Sequence, residues 1–160
     1  MGKKLPLITL GIPIYNAAGL IERTLLSVLN QTYPNIEYVF VDDKGNSMDI
    51  VKRVVAEHPR RSAVRIIDQG RNRGIGAARN TILEYATGDY LFTMDCDDLI
   101  TPDCIETLYG YMFRYPVDFV AGSFVRIDME GKQYPGCQYT DTLIEGERHP
   151  VARYRYGQEK

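Results

Sequence analysis

The sequence contains no apolar run approaching the roughly 18 residues that a membrane-crossing helix needs, and Lys3 and Lys4 are not followed by the apolar core of a secretory leader. A chain that is neither secreted nor transmembrane is expected. Gly2 fits an N-myristoylation signal only in part, because Pro6 stands where that motif takes Ser or Thr. Cysteine is sparse: Cys96, Cys104 and Cys137 are odd in number and show no CxxC spacing, so neither a disulfide framework nor a zinc site is implied. The expected setting is the reducing cytoplasm, with peripheral association to a membrane left open. Charge of one sign is also lacking. The 19 basic and 21 acidic residues leave a formal charge of -2 with no basic stripe, so no nucleic acid partner is expected. Arg153, Tyr154, Arg155 and Tyr156 read as a solvated tail rather than a base-stacking platform. Internal repeats and low-complexity segments are absent. A chain of 160 residues is one domain by length and buries roughly 70% of its unfolded surface, enough to fold without staples.

What is present is an alternation of apolar runs and helical patterns. Leu7 to Ile14 reads as a buried strand, followed by Leu20, Ile21, Thr24, Leu25, Val28 and Leu29 at helical spacing. Ile36 to Val41 is a second strand, and Ile50, Val51, Val54 and Val55 form the face of a second helix stopped by His58 and Pro59. Val64 to Asp68 is a shorter strand, Ala77 to Tyr85 a third helix broken at Gly88, and Tyr90 to Met94 a fourth, buried strand. A fourth helix runs from Pro102, capped by Thr101, towards Tyr115 with Ile105, Leu108 and Met112 inward. Strands that alternate with helices and read as continuous apolar runs predict an α/β fold with a Rossmann-like, mainly parallel sheet flanked by helices. Phe119 to Asp128, Gly131 and Lys132 to Tyr134 read as a short β-hairpin region after the fourth helix. The expected domain covers 1–139, with a poorly defined C-terminal tail over 140–160.

Three aspartates, Asp95, Asp97 and Asp98, follow the fourth strand. Side chains on extended backbone alternate, so Asp95 and Asp97 are expected to project to one side and share a small volume. Without a cation their repulsion would raise one pKa; an oxygen-loving divalent ion turns it into affinity. Mg²⁺ or Mn²⁺ suits such carboxylates and shares its shell with substrate phosphates. The plainer reading makes Asp97 and Asp98 loop acids ahead of a helix.

Ligands of open parallel sheets bind beyond the carboxyl ends of the strands. Polar residues collect there: Pro13, Tyr15 and Asn16 after the first strand, Asp42 and Asp43 after the second, Asp68 after the third, and the three acids after the fourth. A ring such as Tyr15 beside a carboxylate such as Asp43 can hold a nucleobase, which favours a uracil- or guanine-type edge carrying an N–H donor. In Arg71 to Asn80 (RNRGIGAARN), Gly74 and Gly76 permit close backbone approach, and Arg71, Arg73 and Arg79 can contact phosphate or clamp carboxylates. Gly74-x-Gly76 also imitates a dinucleotide fingerprint, but Arg79 occupies the third glycine position and five residues separate Asp68 from Gly74.

These motifs together resemble family 2 glycosyltransferases, which have the GT-A fold. The resemblance spans Leu7 to Asp128 and is carried in order by IPIYN (Ile12 to Asn16), VDD (Val41 to Asp43), NRGIGAARN (Asn72 to Asn80), GDY (Gly88 to Tyr90) and MDCDDLITPD (Met94 to Asp103). It implies metal-dependent transfer, with inversion, of a sugar from a nucleotide-sugar donor, taken to be a UDP-sugar, to an acceptor hydroxyl. The acceptor would be a glycan, a lipid-linked molecule or another hydroxyl compound, and the setting polysaccharide biosynthesis. It places the nucleotide on Pro13, Tyr15, Asn16, Asp42, Asp43, Arg71, Asn72, Gly74, Arg79 and Asp95, and the metal on Asp97 with Asp95. Two departures stand out. Lys44-Gly45-Asn46-Ser47-Met48-Asp49 replaces the Gly-Ser-Thr-Asp turn common in the family, and no motif marks the general base among Asp118, Asp128, Asp141, Glu145 and Glu147. The base and the acceptor region are therefore expected outside this chain, which would make it a donor-binding half. A non-catalytic nucleotide-sugar binding module is the alternative. A haloacid-dehalogenase-type phosphatase, with Asp95 as nucleophile and Asp97 as acid, fits less well because three βα units precede the motif.

Overall fold

Strand β1 (Ile8–Ile14) is buried at every position, so the sheet must continue on both sides of it and be covered on both faces. A computed structural model describes residues 5–128 and 130–137 of the chain. Gly2, Lys3, Lys4, the expected tail over 140–160 with Asp141, Glu145 and Glu147, and the Arg153 to Tyr156 stretch lie outside the described residues. Two units divide the chain, residues 1–107 and 108–160.

In the first unit the order is β1, α1 (Ile21–Leu29), β2 (Ile36–Asp42), α2 (Met48–Glu57), a 3₁₀ turn (Pro59–Ala63), β3 (Val64–Asp68), α3 (Ile75–Tyr85) and β4 (Tyr90–Thr93). The four strands are all parallel, in the order β3-β2-β1-β4, as the alternating pattern predicts. After β3 the chain returns through α3 to the far side of β1, so the strand order reverses between β1 and β4. At such a switch point the connecting loops part and leave a crevice beyond the carboxyl ends. Ile14 pairs with Asp42 and Asp42 with Asp68, so β1, β2 and β3 end level, whereas β4 ends at Thr93 opposite Gly11.

The core has two layers. Val39 and Val41 pack with Ala78 and Ile82 of α3 on one face. On the other, the Tyr38 hydroxyl donates to the Val28 carbonyl of α1 at 3.2 Å, and Arg60 donates to that hydroxyl and to the carbonyls of Gln31 and Tyr33. The apolar stripes of α1 and α2 are buried at Ile21, Thr24, Leu25, Val28 and Leu29 and at Val51, Val54 and Val55, while Leu20 and Ile50 are half-buried.

Three expectations need correction. Strand β4 is not buried: Tyr90 and Leu91 are about two-fifths exposed, because β4 is an edge of the sheet among the described residues. The helix expected from Pro102 begins two residues later, α4 being Cys104–Arg114. Gln31 is the reason. Its amide donates to the carbonyls of Ser27 and Thr101 and accepts from the Ile105 N–H, pinning 101–103 as a turn against the end of α1. Of the inward residues expected in α4, Ile105 is buried, while Leu108 and Met112 are half-buried.

At the opposite end of the sheet from the acids, Gly88 comes so close to β1 that an added Cβ would lie 2.7 Å from the Thr9 nitrogen and 2.8 Å from the Leu7 oxygen. The GDY motif thus has a structural task, locking α3 to the start of β4, with Asp89 accepting from the Leu7 N–H at 2.9 Å. Glu37 completes the lock, accepting from the Thr9 hydroxyl, the Thr87 N–H and the Thr87 hydroxyl. Partial burial pushes the Glu37 carboxyl up, but these three donors and the Arg65 charge outweigh it and hold the pKa below the ordinary value. A depressed folded pKa means stability that is present above the unfolded value of about 4.3 and lost as pH falls through the folded one. Urea unfolding of Glu37→Gln is expected to show lower stability at pH 7 and a flatter decline below pH ~4.3 than the parent; parallel acid limbs would rule out the Glu37 contribution.

The second unit holds the remainder of α4 and an antiparallel pair, β5 (Val125–Ile127) and β6 (Gln133–Pro135). The expected hairpin is there but shorter, and Phe119 to Phe124 stay outside it. Among the described residues, no helix is long and apolar enough to cross a membrane.

Candidate functional site

Loops at the carboxyl ends of the four strands bring most of the predicted site residues together. Pro13 is buried within β1, whereas Tyr15 is 49% exposed and Asn16 is exposed in a left-handed conformation (φ 49°) that Asn tolerates. The β2–α2 loop is laid against them: Ser47 Oγ accepts from the Ala17 N–H at 2.8 Å, Asn46 Oδ1 from the Ala18 N–H at 3.4 Å, and Gly45 lies against the Asn16 backbone. The Lys-Gly-Asn-Ser stretch that departs from the family's turn is therefore the clasp between the first two loops. Sequence reasoning missed Ser47 and Gln31 as holders of these loops.

Asp42 and Asp43 are both buried but differently engaged. Asp42 Oδ1 accepts from the Lys44 N–H at 2.8 Å. Lys44 Nζ reaches Asp68 at 2.6 Å and Asp42 at 3.8 Å. Its hydrogen bond, with the Gly70 N–H adding to it, holds the Asp68 carboxyl below its usual value. Asp43, set by the sequence reading against a nucleobase, accepts from the Arg73 N–H at 2.6 Å and the Gly74 N–H at 2.9 Å. Gly74 sits at φ 84°, ψ 162°, a region that side-chain-bearing residues avoid, and its carbonyl accepts the first α3 hydrogen bond, from Ala78. Arg71, Asn72 and Arg73 are exposed beside it.

The acids after β4 do not follow strand alternation. Extended pairing stops at Thr93, and the chain turns over Asp95 to Asp98, with the Asp98 N–H donating to the Asp95 carbonyl at 3.3 Å. Asp97 and Asp98 are exposed, and Asp95 is partly covered by an ion pair with Arg79 at 2.9 Å. The turn touches the first loop through the Cys96 thiol, 3.8 Å from the Tyr15 carbonyl oxygen. Partial burial, then the charges of Asp97 and Asp95, push the Asp98 carboxyl up from its ordinary value. Among the described residues, no group of three or more His, Cys, Asp or Glu side chains stands ready to hold a metal. The donors that are present, hard carboxylates crowded by like charge, fit Mg²⁺ or Mn²⁺ taken through one or two carboxylates and completed by phosphate and water.

Of the base candidates, Asp118 and Asp128 are among the described residues and belong to the second unit, while Asp141, Glu145 and Glu147 lie outside the described residues. Asp128 is committed in the hairpin turn, accepting from the Lys132 N–H and the Tyr134 hydroxyl, and Asp118 is exposed in the second unit.

Known proteins share this pattern. A glycosyltransferase of Haemophilus influenzae described as uncharacterized is 35% identical over 131 residues, covering 81% of this chain and 51% of the relative. A mannosyltransferase from Pyrobaculum calidifontis, solved with GDP-Man and Mn²⁺, is similar at 35% identity and a TM-score of 0.55, covering 59% of this chain and 28% of that one. TarS of S. aureus in complex with UDP has a TM-score of 0.61 over 69% of this chain and 33% of its own, at 24% identity that speaks for the fold alone. The fold is of the GT-A type. The chain spans about half the length, or less, of the curated relatives it matches. The model of glycosyl transferase family 2 matches residues 9–158, and the chain belongs to that family.

Proposed function

We propose that this chain binds a nucleotide-sugar, a UDP-sugar, across the β1–β4 switch point and passes the sugar with inversion to an acceptor hydroxyl. The observation that carries the reading is the gathering, at the carboxyl end of the sheet, of an exposed aromatic (Tyr15), a glycine-shaped loop with exposed Arg71 and Asn72, and the Asp95 to Asp98 turn in contact with the Tyr15 carbonyl. The Pyrobaculum relative, solved with GDP-Man and Mn²⁺, supports a sugar-nucleotide ligand and a divalent ion.

In this reading Tyr15 packs on the base with Pro13 and Asn16 bounding the pocket, and acceptors around Asp42 and Asp43 meet the base edge. Arg71, Asn72 and the Gly74 loop line the diphosphate. Arg79 pairs with the Asp95 carboxylate at 2.9 Å, an electrostatic arrangement fixed before substrate arrives. Asp97, with Asp95, would hold Mn²⁺ or Mg²⁺. The ion would supply charge neutralisation for the departing diphosphate. A carboxylate base would take the acceptor's proton. The free thiols of Cys96, Cys104 and Cys137 suit a cytoplasmic site of action, peripheral to a membrane where the acceptor is lipid-linked.

The test is release of nucleoside diphosphate from a panel of UDP- and GDP-sugars, with Mn²⁺, Mg²⁺ or chelator and with hydroxyl acceptors. The expected result is metal-dependent release that favours UDP-sugars. Binding without release would favour a donor-binding half or a non-catalytic donor-binding module, and neither binding nor release would overturn the proposal.

A further inference from the structure

We infer that Gly45 and Ser47 are positioning residues for the nucleobase: they lock the loop that carries Tyr15 to the loop that opens at Asp43, and so fix the ring and the carboxylate between which the base enters. The inference rests on the nucleotide-binding reading above and adds the device that keeps its base pocket in shape. Ile14 pairs with Asp42, and the Asp43 N–H donates to the Ile14 carbonyl at 3.0 Å, so Tyr15 and Asp43 leave the sheet from adjoining strands. The strand pairing ends there. From that point the spacing of the two loops falls to close backbone contact and to side-chain hydrogen bonds.

Gly45 supplies the contact. A Cβ added to it would collide with the Asn16 backbone nitrogen and stand 3.1 Å from the Tyr15 carbonyl carbon. Ser47 supplies the strongest bond. It is fully buried, and its Oγ accepts from the Ala17 N–H at 2.8 Å, while the Ala17 carbonyl accepts from the Leu20 and Ile21 N–H groups, so the hydroxyl grips the first loop at the residue from which α1 starts. The turn that brings Gly45 onto Asn16 passes through Lys44 at φ 62°, a conformation uncommon for lysine. It is retained by the Lys44 N–H on Asp42 Oδ1 and the ammonium on Asp68 at 2.6 Å. Asn16, across from it, is left-handed as well. Two such residues in touching loops indicate a shape imposed by mutual contact, at some backbone cost.

The obstacle to a side chain at 45 is backbone, which no change of rotamer relieves, so Gly45→Ala must push the two loops apart. Ser47→Ala adds no bulk but strands the buried Ala17 N–H. Binding groups act within roughly 0.5 Å of their productive position, so either change is felt by a base held between Tyr15 and Asp43. The acid turn has its own ties, the Met94 N–H on the Gly11 carbonyl and Arg79 on Asp95.

The test titrates the parent, Gly45→Ala and Ser47→Ala by calorimetry, well below their melting temperatures, with UDP and CDP in chelator and with pyrophosphate in Mn²⁺. Either variant is expected to weaken UDP by about tenfold, to narrow the preference for UDP over CDP, and to leave pyrophosphate within about twofold of the parent. An equal loss for UDP and pyrophosphate marks general damage and overturns the inference. Folded variants that bind UDP as the parent does overturn it alone, whereas a parent that binds no nucleotide overturns it together with the nucleotide reading. Hydrogen exchange in the unliganded parent covers the case in which neither variant folds. The Ala17 amide is expected to exchange slowly beside that of the exposed Gly19, and fast exchange at Ala17 overturns the lock.

Discussion

Asp97→Ala is expected to lower metal-dependent sugar transfer by about a thousandfold or more, roughly 4 kcal/mol of transition-state stabilisation, while leaving the melting temperature within a degree or two of the parent. The two halves of this expectation have separate physical sources. Asp97 is exposed on a turn, so its removal creates no cavity and breaks no buried bond. Its charge, in contrast, would be a principal one brought to bear on the diphosphate as it leaves. Steady-state rates over a Mn²⁺ series, beside calorimetric melting, check both halves. A variant that turns over at the parental rate would take the metal away from Asp97.

Gly74→Val is expected to remove about 3 kcal/mol of stability and, in whatever fraction folds, to weaken nucleotide binding by more than tenfold. At φ 84° and ψ 162° the position excludes a β-branched side chain on backbone grounds alone, since nothing lies within 4 Å of the site an added Cβ would fill. The cost therefore comes from conformation and not from collision. Relaxing it would swing the N–H away from Asp43 and disturb the first hydrogen bond of α3. Denaturant unfolding gives the first quantity and calorimetry with UDP the second. Parental stability would show that the loop tolerates another conformation, and the argument built on its shape would fall with it.

Much of the fold was legible because β1 and β2 are central strands. Their uninterrupted apolar runs can only be covered on both faces, and the helices between them are marked by stripes at the correct spacing. The edges were harder. Tyr90 to Met94 has the composition of a buried strand, yet apolarity does not reveal whether a neighbouring strand exists, and β4 lies at the edge of the described sheet. Thr101-Pro102 carries good helix-start signals, but Gln31, some 70 positions earlier, holds that segment as a turn. The candidate site was legible as a set of residues and not as a set of roles. Alternation placed Asp95 with Asp97 on one side, whereas a turn governs them. Residue type offered Asp43 to a base, and it did not show that two amides 30 and 31 positions later also reach that carboxylate. Long-range hydrogen bonds of this kind leave no local periodicity, so only the folded chain discloses them.

The central claim, that the ligand site lies at the carboxyl ends of the strands across the β1–β4 switch point, is tested most directly by amide shift mapping with UDP and Mg²⁺. The account predicts perturbations concentrated at Tyr15, Asn16, Asn72 to Gly74 and Asp95 to Asp98, dependent on the metal at the last group, with Glu37, Thr87 and Gly88 at the far end of the sheet unmoved. Perturbations gathered around Glu37 and Thr87, or none at saturating UDP, would contradict it.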